Sequence, residues 1–541
     1  MNPILKWRMK HLQLLMITAG LALAASAPAQ SDALLDKLVQ KGILTSQEAN
    51  DLRSETATNT PDGGFKFKMN KAIKSMELFG DFRLRYEYRA AQIATTPGGA
   101  TLLPPGVGNT DSLNRFRYAL RLGVRGDLVD DFYYGFRFET SPNPRSPWNT
   151  FGGASGSQSP YQGPFSKANN YGLFVGQAYL GWREGNWLDL SLGRVPQPLY
   201  TTPMVWDSDY CPEGAVEKIN YTSGNAGFFL TMGQFLYQDA NPTTGNQAFG
   251  VVGNTPSSGS SPWLLAWQAG LTYRLSTNMN LKFAPVVYNY VGHGNAASGF
   301  YGPFVGQGMP TGLTYASLTS GSSSGVPGNS GPIPAPVGST VGINGYNQTG
   351  INNLFILDFP AELNFKLGRY DAKLFGDFAV NLEGDDRARA AYSGGEAEAA
   401  YGASSTHNPT LYANPFPGGV QLGNDKAYQA GLSVGNNVGL VYGTQPRKGT
   451  WETRVYWQHV EQYALDPNLL DSDFFEGRGN LQGIYAAFSY SVSDAIMATV
   501  RYGHAGRINN NLGTGGFNAD MPLINPVNKY DLVQIDLTLR F

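Results

Sequence analysis

The segment from Met76 to Arg89, MELFGDFRLRYEYR, constrains the fold more than any other, because its alternation is plain and is unbroken from Asp81 onwards. Phe82, Leu84, Tyr86 and Tyr88 stand on one side, and Asp81, Arg83, Arg85, Glu87 and Arg89 on the other. Successive side chains of a strand point to opposite faces, so one face is apolar and the other charged. The pattern returns with Phe116, Tyr118, Leu120, Leu122 and Val124 against Arg115, Arg117, Arg121 and Arg125. It returns again with Phe132, Tyr134, Phe136 and Phe138 against Tyr133, Arg137 and Glu139. In a soluble sandwich the polar face meets bulk water and can be short and mixed. Here the strands run roughly ten to fourteen residues, with Phe and Tyr at the ends of the apolar face, which fits a lipid-facing band between aromatic girdles.

The connections alternate in length. Short turns are expected at Val129-Asp130, Glu184 to Asn186, Ser223 to Asn225, Ser276-Thr277, Leu367 to Tyr370, Gly443 to Lys448 and Ser493-Asp494. Long loops are expected over 91–113, 142–171, 195–215, 238–263, 291–351, 384–424, 462–480 and 506–528. Seven short and eight long connections give an all-β, transmembrane antiparallel barrel of about 16 strands, with 14 or 18 as the neighbouring counts. Both ends of the barrel then lie on the short-turn side. The loop 291–351 is rich in Gly, Ser and Pro and has no periodicity, as external loops do.

The two ends of the chain carry different signals. Lys6, Arg8 and Lys10 precede an apolar run from Leu12 to Ala25, and Ala27-Pro28-Ala29 is a small-residue cleavage site. Residues 1–29 therefore read as a secretory signal peptide, too short to be a comfortable membrane helix, and the chain is expected to be exported. Cleavage takes three of the 39 basic residues and leaves all 41 acids, a net charge of −5, which argues against a nucleic-acid partner. Residues 30–70 read as a short periplasmic helical hairpin and linker: Leu34, Leu35, Leu38 and Val39 share a helical face, Gly42 ends it, and Thr45 with Glu48 forms a capping box. This piece either covers a barrel mouth or serves as an oligomerisation or periplasmic contact. The chain closes on DLVQIDLTLRF, a strand of period two running to Phe541. It resembles the terminal strand that outer-membrane barrels present to their assembly machinery. The barrel proper is expected over 71–541.

One stretch stands apart. TTPMVWDSDYCPEG, Thr201 to Gly214, gathers two prolines, three acids, Trp206, Tyr210 and the single cysteine, Cys211. It lies in the third long loop, which Pro196, Pro198, Pro203 and Pro212 stiffen by fixing φ. Asp207, Asp209, Glu213 and Glu217 give it negative charge, and Trp206 is suited to pack on an inner wall. Arg83, Arg85, Arg115, Arg117, Arg121 and Arg137 form a basic wall on the charged face of three consecutive strands. An acidic loop facing arginines makes a transverse field that tunes which solutes pass. A blander reading stands beside it: the charges pair and hold the loop in place. The two are compatible.

The segments FGDFRLRYEYR, NRFRYALRLG and LGRVPQPLYTTPMVWDSDYCPEGA, with the closing strand, resemble the bacterial putative porin family of outer-membrane barrels. The pattern W-D-x-D-x-x-P-E-G, here Trp206 to Gly214, is similar to that family's most recognisable segment. The resemblance covers nearly all of the mature chain. It implies passive diffusion of small hydrophilic solutes and ions through a water-filled pore, with the third loop folded into the lumen as in sixteen-stranded general porins. It further implies outer-membrane lipid and lipopolysaccharide as surroundings, and a homotrimer by analogy. The competing reading is a structural or adhesive barrel that acts through its external loops and periplasmic helices.

Enzymatic and metal chemistry find little support. A barrel hydrolase needs a nucleophile, a histidine and an orienting group together. His293, His407, His459 and His504 are far apart, and no Gly-x-Ser-x-Gly elbow exists. Asp207, Asp209 and Glu213 as a Ca²⁺ loop have weak spacing and lack the further ligands such loops carry. Cys211 alone is not a metal site. No cofactor is expected.

Overall fold

The computed structural model describes residues 70–93, 110–141, 146–151, 172–237, 263–291, 354–393, 421–467, 469–510, 512, 514 and 527–541. The chain divides into two units, Met1–Lys71 and Ala72–Phe541. The segments read as signal peptide and helical hairpin lie outside the described residues, apart from their last residue. The second unit is a β-barrel.

Its strands begin with β1 (Glu77–Ile93), β2 (Thr110–Asp127), β3 (Phe132–Thr140), β4 (Asn149–Thr150), β5 (Leu173–Glu184) and β6 (Leu188–Arg194). They continue with β7 (Glu213–Ser223), β8 (Ala226–Leu236), β9 (Trp263–Ser276), β10 (Met279–Phe283), β11 (Val286–Val291), β12 (Phe355–Asp358) and β13 (Ala361–Leu367). The last are β14 (Tyr370–Asn381), β15 (Lys426–Gly435), β16 (Trp451–Val460), β17 (Leu481–Ser491), β18 (Ile496–Arg507) and β19 (Val527–Arg540). A helix, α1 (Gly384–Ser393), follows β14.

Each strand pairs antiparallel with its neighbour, and β19 returns to β1 over a long register from Asp81–Arg540 to Gln92–Lys529. Closure leaves no raw edge. Two strand positions are each split in two. Pro285 separates β10 from β11, and Pro360 separates β12 from β13, because proline cannot donate to the ladder. The ladder still runs through the break: Ala269 N–H donates to the Pro285 carbonyl and Ala284 N–H to the Pro360 carbonyl, both at 3.1 Å. Short β4 extends the position of β3 along β2. Counted by position, the barrel has sixteen strands.

The two faces are inverted relative to a soluble protein. Leu78, Phe82, Phe116, Leu122, Phe136, Leu192 and Tyr221 are exposed on the outside, the last two at 65%. Asp81, Arg85, Glu87, Arg89, Arg117 and Glu139 are buried on the inside. Outward Trp187, Tyr221, Phe228 and Tyr273 lie beside short turns, and Phe116, Trp263 and Tyr428 lie towards the long loops. Such a surface is stable in hydrocarbon bounded by two interfaces, and the closed barrel satisfies its own backbone there.

Candidate functional site

The third long loop enters the barrel. Residues 195–212 leave β6 and return to β7, and Val195 N–H donates to the Pro212 carbonyl at 2.9 Å, so the loop is pinched shut at its base. From there it reaches the far wall. Tyr200 N–H donates to Gln268 of β9 at 2.8 Å, and the Tyr200 hydroxyl donates to Glu362 of β13 at 2.7 Å. The Thr202 hydroxyl donates to Asp377 of β14. Met204, Val205 and Trp206 are buried, with the Trp206 ring 6.1 Å from Phe235 of β8 and 6.2 Å from Tyr288 of β11. The return leg meets the near wall. Arg121 of β2 donates to Asp209, while Arg137 of β3 and Gln177 of β5 reach the Cys211 sulfur at 3.6 and 3.5 Å.

Of the five residues assigned to this loop from the sequence, Trp206, Asp207 and Asp209 lie in it, and two do not. Glu213 opens β7 and pairs with Arg194 across the ladder at 2.6 Å. Glu217 lies inside β7 on the outer face, between Ala215 and the exposed Ile219, with Leu190 and Met232 as its register partners. The period of two carries it outwards, while its neighbour Val216 is buried inside. Glu217 accepts one hydrogen bond, from Gln234 at 2.9 Å.

Two further intrusions were not foreseen. The loop 461–480 also turns inwards. Leu469, Leu470, Phe474 and Phe475 are buried, and Phe474 packs on Tyr456 and Tyr485 of the inner wall. Four large apolar residues in a supposed external loop are the signal that could have revealed it. The two inward loops meet directly: Asp207 N–H donates to the Leu469 carbonyl at 2.6 Å, and Asp471 N–H to the Pro203 carbonyl at 3.1 Å. On the opposite, short-turn side, residues 436–450 fold back into the lumen. Gly439 and Gly443 take φ of 102° and 104°, which favour glycine, and the Glu452 carboxylate accepts the N–H groups of Gly439 and Val441.

All six arginines of the basic wall face the lumen, but most are neutralised there. Arg115 and Arg117 lie beside Glu87, Arg83 pairs with Asp81, and Arg137 with Glu139. Arg121 faces both Asp209 and Glu139. Arg85 donates to Asp536 at 2.7 and 2.9 Å and to Asp473 at 2.7 Å, with the Trp148 ring 4.1 Å from its guanidinium. Where these side chains meet the loops, a water-accessible cavity of about 130 Å³ remains. Arg83, Arg85, Arg121, Arg501 and Arg540 line it together with Asp207, Asp209, Asp471, Asp473 and Asp536. That is room for a cluster of waters.

The loop acids differ in charge state. Burial opposes ionisation of Asp209, but the Arg121 and Arg83 guanidiniums outweigh it and hold the carboxyl below its usual range. Asp473 is likewise held low by Arg85 and Arg89 against the effect of burial. Burial, and then the Asp473 carboxylate, push Asp471 up to about 7. Among the described residues no three of His, Cys, Asp or Glu are arranged to hold a metal. His459 stacks on Tyr428, and His504 bonds Asp531 at 2.7 Å. Their register partners Tyr428 and Ile484 are exposed outside, so neither histidine shares the lumen with the loops.

A closed sixteen-stranded barrel, apolar outside, charged inside and crossed by a loop, is now in view. The family model described as "Putative porin" matches residues 68–541. The chain belongs to the putative porin family. The porin has its apolar wall in the outer membrane, and its fold is that of a channel. No curated protein matches it. Among solved structures it is similar to the outer membrane channel DcaP of Acinetobacter baumannii, at 12% identity over 88% of this chain and 99% of that one, TM-score 0.36. It is also similar to an anion-selective porin from Comamonas acidovorans, at 9% identity over 86% and 99%, TM-score 0.36. OprB of Pseudomonas putida, in a high-pH structure, is 11% identical over 86% and 94%, TM-score 0.39.

Proposed function

We propose that this porin passes small hydrophilic solutes and ions by diffusion, and that the meeting of loops 195–212 and 461–480 sets its narrowest point. The observation that carries this reading is the water-accessible cavity between the arginines and the loop acids. Paired charges of both signs keep such a passage wet and give it a local field, while the pairing holds its shape. Purified protein in planar bilayers tests it. Stepwise ohmic conductance is expected, and confirmed insertion without steps rules the channel out.

Export by a cleaved leader over 1–29 and recognition of the C-terminal strand by the assembly machinery belong to the same reading. The Phe541 main chain exchanges hydrogen bonds with Gly80 at 2.9 and 3.1 Å, which makes it part of the seam. Lipopolysaccharide and lipid contact the apolar band. Assembly as a homotrimer is proposed through the outer face of β6, β7 and β8. A carboxylate such as Glu217 with a single amide partner is an expensive neighbour for lipid tails. A second copy covering it removes that cost. Mass measurement in detergent decides the number of copies.

A further inference from the structure

A group of polar side chains on the inner wall is left unsatisfied by the channel architecture. Tyr288 of β11, Asp358 of β12, Asp377 of β14 and Gln429 of β15 all face inwards and are at most 5% exposed. Register brings them together. Asp358 lies opposite Val286 and Ala379, Tyr288 sits two residues along β11 from Val286, and Asp377 two residues along β14 from Ala379. Gln429 lies directly opposite Asp377. Among the described residues neither carboxylate makes an ion pair. Both oxygens of Asp358, Oδ1 of Asp377, Oη of Tyr288 and both polar atoms of the Gln429 amide make no hydrogen bond of good geometry, although the Asp358 carboxyl lies close enough to Asp377 and to the Tyr288 hydroxyl to interact with both. The remaining oxygen of Asp377 accepts the Thr202 hydroxyl of the inward loop.

Two carboxylates withdrawn from water without a counter-charge are strongly unfavourable. A proton shared between them, with the Tyr288 hydroxyl donating to the second Asp358 oxygen, is the competing arrangement, and it leaves the Gln429 carbonyl bare. A cation satisfies them together. The donors available to it are oxygens only: two carboxylates, an amide carbonyl and a phenol. Hard cations take that mixture of charged and neutral oxygens, whereas softer metals seek nitrogen or sulfur. We propose that Asp358, Asp377, Gln429 and Tyr288 form a binding site for one hard divalent cation of the Ca²⁺ type. Because Thr202 bonds the same carboxylate, the ion fastens the inward loop to β14.

The test uses the full chain refolded in detergent, free of lipopolysaccharide and stripped with chelator. Calorimetric titration with CaCl₂ at neutral pH is expected to show one site per chain. Added Ca²⁺ is expected to raise the thermal transition by several degrees. Asp358→Asn is expected to abolish both effects. Should that variant fail to refold, Gln429→Ala keeps both carboxylates and is expected to weaken Ca²⁺ binding at least several-fold. Wild-type protein that takes up no Ca²⁺, or Ca²⁺ binding that persists unchanged in these variants, overturns the proposal. A transition that rises on Asp358→Asn with no Ca²⁺ response in the wild type identifies a shared proton and equally overturns it.

Discussion

The Asp207 carboxylate accepts both the main-chain N–H and the hydroxyl of Ser472, at 3.1 and 3.0 Å. These residues come from loops far apart in sequence, and their contact is where the two intrusions into the lumen lock together. Hydrogen bonds to a buried charged group are worth about 1.5–3 kcal/mol each. Asp207→Ala and Ser472→Ala are therefore expected to lower unfolding free energy, and the double variant to cost less than their sum. Denaturant titration of all four proteins measures the coupling. Simple additivity would show that the contact contributes nothing.

Trp206 fills the space between Phe235 and Tyr288 and is 2% exposed. Trp206→Ala is expected to cost about 3–5 kcal/mol of stability, as large-to-small changes at packed sites do. The lost ring also widens the lumen, so single-channel conductance should rise. A destabilised protein of unaltered conductance would place Trp206 away from the ion path.

Arg121 and Asp209 neutralise one another at the cavity. Asp209→Asn leaves the guanidinium in excess and is expected to move the reversal potential towards anions. Arg121→Gln is expected to move it towards cations. Shifts of the same sign in both variants would show that only loop displacement is being read.

The Asp471 carboxyl, pushed up to about 7 by burial and Asp473, adds a negative charge to the cavity as pH rises through that value. Cation preference is expected to increase between pH 6 and pH 8 and to be flat there in Asp471→Asn. The sign for stability is opposite to that of an ordinary ion-paired acid. The folded state holds its proton at pH where the unfolded chain has released it, so stability falls as pH climbs from the unfolded value of about 4 towards 7. A selectivity step that survives in the variant assigns it to another group.

Glu217→Leu tests the proposed subunit face. A lipid-facing leucine is harmless to an isolated barrel, so folding should persist, while Glu217→Lys should shift the assembly towards single copies. An assembly unmoved by Glu217→Lys moves the interface elsewhere on the wall.

The barrel was legible because alternation is a property of each strand alone. Arg83 and Phe82 declare opposite faces without reference to anything distant, and the turn spacing then sets the strand number. The interior was less legible because it depends on contacts across the barrel. Asp207 was assigned to a loop acid group, yet its partner Ser472 lies 265 positions away. Glu217 was misassigned for a local reason: the loop ends at Pro212, three residues before the expected boundary at 215, and Glu217 lies beyond even that boundary, so the acid falls on the pleat of β7 and points outwards. The 436–450 intrusion is longer than the short turn expected at Gly443 to Lys448, because the segment before Gly443 leaves the strand early and turns into the lumen. The split strands at Pro285 and Pro360 were likewise invisible, because each proline is accommodated only by its neighbour's ladder.

The loop 195–212 is tied at one end to Arg121 and at the other to Glu362 and Gln268, on walls that face each other. A hollow cylinder this wide flattens easily when squeezed sideways, since neighbouring strands can change their angle to one another while keeping the ladder hydrogen bonds. A crossbar anchored on both sides resists that ovalisation. The width of the passage is then insulated from the packing pressure of a crowded membrane, and the same loop that narrows the pore keeps its calibre constant.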